Sequence, residues 1–316
     1  MTDKRYFQVK KSRTVFQLDY RGVYVVQAQP ENGGIRIVSC AHKVWPEHGK
    51  ELPFAEPEGI KESFQAILNL SGLKGREVDI LLPDCMARTV ILELDSLPRK
   101  KNELLKLAYF KGQKSPPYPL EDTRIGIQVL SNPPSPPFSK RGVGGDSGGK
   151  ARIFAVFISR ALIKGLENIL CDLGMEPRRI GLTSLNLYNL FEKKLNQEGD
   201  AAFVSTFEGF FSLLLFSSGL PVFFRSKALE AGDSRLFFEL KTSFLYYQNQ
   251  HASYMPKRVY LWQGAETGDF SSWSEELFGV QPSILEPRNL LPIKQDLALT
   301  PYELMRLTPA LGMVAK

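Results

Sequence analysis

Residues 200–229, DAAFVSTFEGFFSLLLFSSGLPVFFRSKAL, are the most apolar stretch of the chain and constrain its fold most. A membrane-spanning helix needs ~20 mostly apolar residues, and 201–224 is long enough. The run is interrupted, however, by Glu208, Gly209, Ser217, Ser218, Gly219 and Pro221. Gly219 and Pro221 beside two serines are turn chemistry. The flanking halves are rich in Phe, Val and Leu, as buried strands are. The pattern predicts a strand hairpin rather than a span.

A similar pattern occurs near the start. TVFQLDYRGVYVVQAQ reads as two strands turning near Arg21 and Gly22, a second turn covers 30–34, and IRIVSCAHKVW alternates as a third strand. Each hairpin region is strand, turn at glycine, strand, turn, strand, and each is followed by a helical pattern. An internal repeat of this kind predicts two like-folded halves.

Between the two hairpins the order of elements is readable. A helix over 57–70 places Ile60, Phe64, Ile67 and Leu68 on one face, and VDILLP, apolar apart from Asp79, reads as a short strand of the buried central kind. From Arg88 a strand, a helix (KKNELLKLAYFKGQ), two strands (RIGIQVL and RIFAVFISR), a helix (ALIKGLENILCDLG) and a strand (EPRRIGL) follow. That order, β-α-β-β-α-β, predicts a ferredoxin-like subdomain inserted into a larger α/β domain. The two middle strands are joined by a Pro/Gly/Ser tract over 131–150, too poor in apolar residues to pack, which reads as a mobile hairpin loop. The expected boundaries are 1–83 plus 180–198 for the first domain, 84–179 for the insertion and 199–316 for the second domain. The chain closes on Thr300-Pro301-Tyr302-Glu303, a capping box that predicts a last helix over 301–314, broken or offset at Pro309.

The bulk composition excludes little. Hydrophobic residues are 43% of 316, an ordinary globular content. The start, MTDKRYFQVKKSR, lacks the apolar segment of a signal peptide. Cys40, Cys85 and Cys171 are widely spaced and odd in number, which suits reduced thiols and a cytoplasmic setting. A net charge of +6 comes from scattered residues with no aromatic-interleaved basic patch, so nucleic acid is not an expected partner.

Few motifs offer chemistry. Gly144 to Lys150 has the spacing of a P-loop, but Ala151 follows where a hydroxyl should bind magnesium, and a strand follows where a helix is needed. His42, His48 and His251 have no partners at metal-ligand spacing; Cys40 and His42 share a strand face but make no site alone. The repeated hairpins remain. In actin-like ATPases two such hairpins cradle phosphates with backbone N–H groups, an aspartate serving the metal shell and a glycine allowing close approach.

Several segments, taken in order, resemble the PilM family of type IV pilus assembly proteins, which is related to the cytoplasmic part of the type II secretion protein GspL. They are PYPLEDTRIGIQVL, LCDLGMEPRRIGLTSLNLYNLF, GLPVFFRSKAL, RVYLWQGAE and LTPALGMVAK. The resemblance implies an actin-like (ribonuclease H-like) fold of two domains carrying the inserted subdomain. It implies a cytoplasmic location at the inner face of the inner membrane, with membrane contact indirect or peripheral. It also implies a partner, the N-terminal tail of a PilN-like membrane protein, docking beside the insertion near Tyr118, Pro119 and Leu120, together with a capacity for self-association. The nucleotide positions depart from the family pattern. Aligned on VYVVQA, the first Asp-x-Gly falls on Gln17-Leu18-Asp19; a shifted alignment restores Asp19 but puts Arg21 where glycine belongs. The second falls on Ser205-Thr206-Phe207, and the adenosine loop keeps Gly264. The expectation is a scaffold with a degenerate site around Asp19, Gly22 and Gly264, no catalytic residue, no bound metal and no cofactor. The competing expectation is an active actin-like ATPase holding ATP and Mg between the domains.

Overall fold

The computed structural model describes residues 12–31, 34–45, 57–73, 75–112, 122–131, 151–229, 235–264, 270–287, 293–295 and 299–315. The chain begins with β1 (Arg13–Leu18), β2 (Gly22–Glu31) and β3 (Gly34–Val44), an antiparallel meander. Then α1 (Pro57–Ser71) crosses over and β4 (Glu77–Leu82) returns parallel to β1. A short 3-10 turn, Asp84–Met86, leads into β5 (Ala87–Leu94), α2 (Lys101–Gly112), β6 (Thr123–Ser131) and β7 (Ala151–Ser159). After them come α3 (Arg160–Asp172), β8 (Glu176–Leu182) and α4 (Thr183–Leu195).

The second lobe repeats the plan. Its meander is β9 (Ala201–Phe207), β10 (Phe210–Ser217) and β11 (Leu220–Ala228). It is followed by α5 (Leu236–Gln248), β12 (Arg258–Gln263) parallel to β9, α6 (Phe270–Phe278) and β13 (Pro282–Ile284). The chain ends with β14 (Ile293–Gln295) and α7 (Pro301–Ala315). The sheet orders are β14-β3-β2-β1-β4-β8 and β11-β10-β9-β12-β13. Apart from β14 they correspond strand for strand, so the apolar stretch 200–229 is the three-stranded meander of the second sheet. No helix among the described residues is long and apolar enough to cross a membrane.

The insertion differs from the ferredoxin-like expectation. It holds three antiparallel strands in the order β5-β7-β6, not four. The strand expected to complete it, β8, pairs in parallel with β4 in the first sheet. Its helix α3 goes with it, burying Ile163, Leu166, Ile169 and Leu170 against Ile60, Phe64 and Ile67 of α1. The physical reason lies in partners: the apolar stripe of α3 matches α1, and Arg179 on β8 ion-pairs with the buried Asp79 on β4 at 2.6 Å. Element order along a sequence carries neither fact. The tract 132–150, including the P-loop-like spacing, lies outside the described residues, but β6 and β7 on either side of it are antiparallel neighbours as expected.

The chain end also differs. The last helix is continuous, with Pro309 inside it. Instead of joining the second sheet, α7 lies on the first, where Leu304, Leu307, Leu311 and Val314 pack on Val15, Val26 and Ile37. The capping box forms as expected: Glu303 accepts from the Thr300 N–H and hydroxyl at 2.8 Å, and the Glu303 N–H donates to Thr300 Oγ1 at 3.2 Å.

Candidate functional site between the two lobes

The β1–β2 and β9–β10 turns face each other across the two lobes. In the first, Asp19 Oδ1 accepts the backbone N–H groups of Arg21 (2.7 Å) and Gly22 (2.9 Å), an Asx turn closed by its own side chain. Gly22 has a structural role: a Cβ there would lie 2.2 Å from the Lys43 carbonyl oxygen, so only glycine lets β3 approach. The second turn is tighter. Phe207 and Phe210 pair across it and stack at 4.7 Å, leaving Glu208 and Gly209 as the connection, with Gly209 at φ 81°.

The tips touch. The Tyr20 ring lies on Gly209, so closely that an added Cβ would come within 2.4 Å of it. Arg21 pairs with Glu208 at 2.8 Å. From α7, Arg306 reaches both turns: it contacts Asp19 Oδ2 at 3.3 Å and Glu208 Oε1 at 2.7 Å. It also donates to the hydroxyls of Tyr24 (2.8 Å) and Tyr302. Burial pushes the Asp19 carboxyl up to about 6, against the pull of Arg306 and the two N–H groups. Arg306 is held charged by Tyr24, Asp19 and Glu208, which outweigh its own burial.

A second inter-lobe cluster lies deeper. Asp84, fully buried just after β4, accepts the Ser184 N–H at 3.1 Å on both carboxylate oxygens. Its Oδ2 also accepts the hydroxyls of Ser184 and, from β10, Ser212 at 2.8 Å. Ser184 Oγ in turn shares a 2.6 Å hydrogen bond with Ser205 Oγ on β9. Burial raises Asp84 to about 6, while these hydrogen bonds pull it down. Nearby, Tyr20 and Cys85 share a 3.3 Å hydrogen bond, and burial pushes the Cys85 thiol up to about 12. Along the same face of the second sheet, Tyr188 and Phe191 of α4 and Phe154 of the insertion pack with Phe203, Phe216, Phe224 and Trp262 in one buried cluster.

Of the residues singled out from sequence, Asp19 and Gly22 do sit in one turn. Gly264 follows β12 and gives its N–H to Thr206 O at 2.9 Å. A Cβ on Gly264 would meet that same oxygen at 2.8 Å and the Phe207 ring at 3.0 Å. Tyr118, Pro119 and Leu120 lie outside the described residues. No group of three or more His, Cys, Asp or Glu able to hold a metal is present among the described residues. Sequence reading missed Arg306, Glu208, Asp84, Ser184 and Ser212. Two signals were available: Arg306 is the lone charge between Leu304 and Ala315, and Asp84 comes directly after the apolar run Ile80-Leu81-Leu82-Pro83.

No family model matches the chain, and no curated protein matches it in sequence. Solved structures do. A PilM–PilN type IV pilus biogenesis complex aligns with TM-score 0.76 and 14% identity, over 97% of this chain and 98% of that one. A Bacteroides thetaiotaomicron protein of actin-like ATPase fold and unknown function aligns with TM-score 0.54 and 14% identity, over 92% and 95%. The cytoplasmic domain of EpsL, an inner-membrane component of the Vibrio cholerae type II secretion system, aligns with TM-score 0.49 and 10% identity, over 95% of each chain. The two corresponding sheets, the facing hairpin turns and the end-to-end match place the chain in the actin-like ATPase fold, in an arrangement similar to that of the PilM–PilN structure.

Proposed function

We propose that this chain is a nucleotide-independent actin-like scaffold of a pilus or secretion assembly, held at the cytoplasmic face of the inner membrane by a PilN-like partner. The observation that carries this reading is the match to a PilM–PilN complex over 97% of the chain. The partner's tail docks along β6. Among the described residues that strand has one neighbour in its sheet, β7, and it lies beside a crevice lined by Leu130, Phe154, Leu185, Tyr188 and Pro221. Gln128 and Leu130, on one face of β6, line that crevice. An extended segment that adds to a sheet edge gains main-chain hydrogen bonds, while side-chain pockets select its sequence.

The inter-lobe residues do not fit a nucleotide, which supports the nucleotide-independent part. The N–H groups of Arg21 and Gly22, which would face a phosphate, are taken by Asp19. Tyr20 and Arg306 fill the space between the turns, and Phe207 covers Gly264.

Two measurements test the reading. The tagged protein is expected to recover a single-span, short-tailed inner-membrane protein from its own host, and Leu130→Glu, within the crevice, is expected to weaken that capture at least tenfold. Recovery without any such partner, or an unaffected variant, overturns the docking. Mg-ATP at millimolar concentration is expected to leave the melting temperature unchanged, since only a ligand that binds the folded state raises it. A saturable rise overturns nucleotide independence and restores the ATPase alternative.

A further inference from the structure

We infer that Arg306 is the built-in ligand of the inter-lobe site: its guanidinium bridges the two facing hairpin turns and occupies the space between them. The inference goes beyond the docking reading and stands without it. It rests on the arrangement of one buried cation. Arg306 is 6% exposed and contacts a carboxylate from each lobe, Asp19 at 3.3 Å and Glu208 at 2.7 Å. Its two terminal nitrogens also donate to Tyr24 and Tyr302, its Nε has no hydrogen-bond partner among the described residues, and its charge lies over both rings, 5.7 and 4.7 Å from their centroids. A planar guanidinium can serve two carboxylates at once, which the point charge of a lysine cannot.

The helix is built to deliver this group. Gln17 on β1 donates to the Arg306 carbonyl at 2.9 Å, fixing the backbone of α7 at that residue. Arg13 and Arg179 donate to carbonyls at the far end of the helix, Val314 at 3.4 Å and Met313 at 3.0 Å respectively. The cation therefore reaches the turns from a helix tied to the first sheet at both places. Around it the charges balance: Arg21 and Arg306 face Asp19 and Glu208. Removing the cation would leave a buried carboxylate uncompensated, a costly state.

The test is amide hydrogen exchange in the two turns, 18–23 and 207–210, which belong to different lobes. Glu208→Gln removes the second-lobe carboxylate at a turn tip and leaves α7 intact. It is expected to speed exchange in both turns together by about tenfold or more, as loss of charged hydrogen bonds would. Arg306→Ala is expected to do the same, and millimolar methylguanidinium, far below denaturing concentrations, to slow exchange in that variant again. Arg306→Lys, which reaches one carboxylate at a time, is expected to be intermediate. The inference is overturned if Glu208→Gln leaves either turn at the wild-type rate. It is also overturned if Arg306→Ala folds and methylguanidinium does not restore protection. Mg-ATP is absent from these arms, so they fail or succeed independently of the nucleotide measurement.

Discussion

The two lobes share a strand order and differ in what fills them. The first sheet is packed mainly by aliphatic side chains and is covered on both faces by helices, α1 and α3 on one side and α7 on the other. The second is covered by α5 and α6 on one face, while its other face meets α4, the insertion and the first turn through Phe203, Phe207, Phe210, Phe216, Phe224 and Trp262. A face that must admit and release a polar ligand has to stay wet. This one is lined by aromatic side chains; Asp84, Ser184, Ser205 and Ser212 hydrogen-bond to one another across the lobes, while Trp262 Nε1 has no partner among the described residues. The same frame thus serves as an ordinary sheet in one half and as an inter-lobe weld in the other.

The largest expected effect comes from breaking that weld. Phe210→Ala removes a ring that stacks on Phe207 and meets Tyr20, and should cost about 3–5 kcal/mol in denaturant unfolding. If the loss is near that of a surface substitution, the aromatic face does not hold the lobes.

A paired glycine experiment sharpens the contrast. Gly209 and Gly279 both have positive φ, 81° and 65°. A Cβ at Gly279 meets nothing within 4 Å, so alanine there should cost only the left-handed backbone term, about 1 kcal/mol. At Gly209 the Tyr20 ring stands in the way, adding about 1–3 kcal/mol of overpacking. Equal costs in thermal melts would mean that the two turns do not press together in solution.

The pH dependence comes next. Folding raises Asp84 from 3.8 to about 6, so the folded state holds its proton more tightly than the unfolded chain does. Stability from this group therefore rises as pH falls through 6 and levels off below about 4, an effect on the order of 3 kcal/mol in full, with roughly half of it reached by pH 5. Asp84→Asn should flatten the melting-temperature profile between pH 7.5 and 5. A profile of unchanged slope would remove Asp84 from the account.

The smallest effect is expected far from the weld. Lys61 and Asp172 pair at 2.9 Å with side chains 47% and 60% exposed. Asp172→Asn should change stability by less than about 1 kcal/mol, and less still in high salt.

Much of the frame was legible in the sequence. Each half announces itself through glycine turns between apolar strands, because turn chemistry and strand alternation are local properties. The capping box before α7 was readable for the same reason. The destination of β8 was not: Arg179 finds Asp79 and α3 finds α1 only once the chain is folded. The sequence predicts a helix broken or offset at Pro309, yet one helix runs through it, held on the first sheet by its apolar face.

The site divides in the same way. By itself the sequence determined that residues 200–229 form a hairpin and that it repeats the one at the start. Only the tertiary structure decided what occupies the space between the hairpins. Arg306 is hundreds of residues from Asp19 in the chain and comes from a helix that, by order alone, belongs to the other lobe. A buried charge is tolerated only where opposite charges converge on it. Convergence is a property of the packed chain, and no window along the sequence contains it.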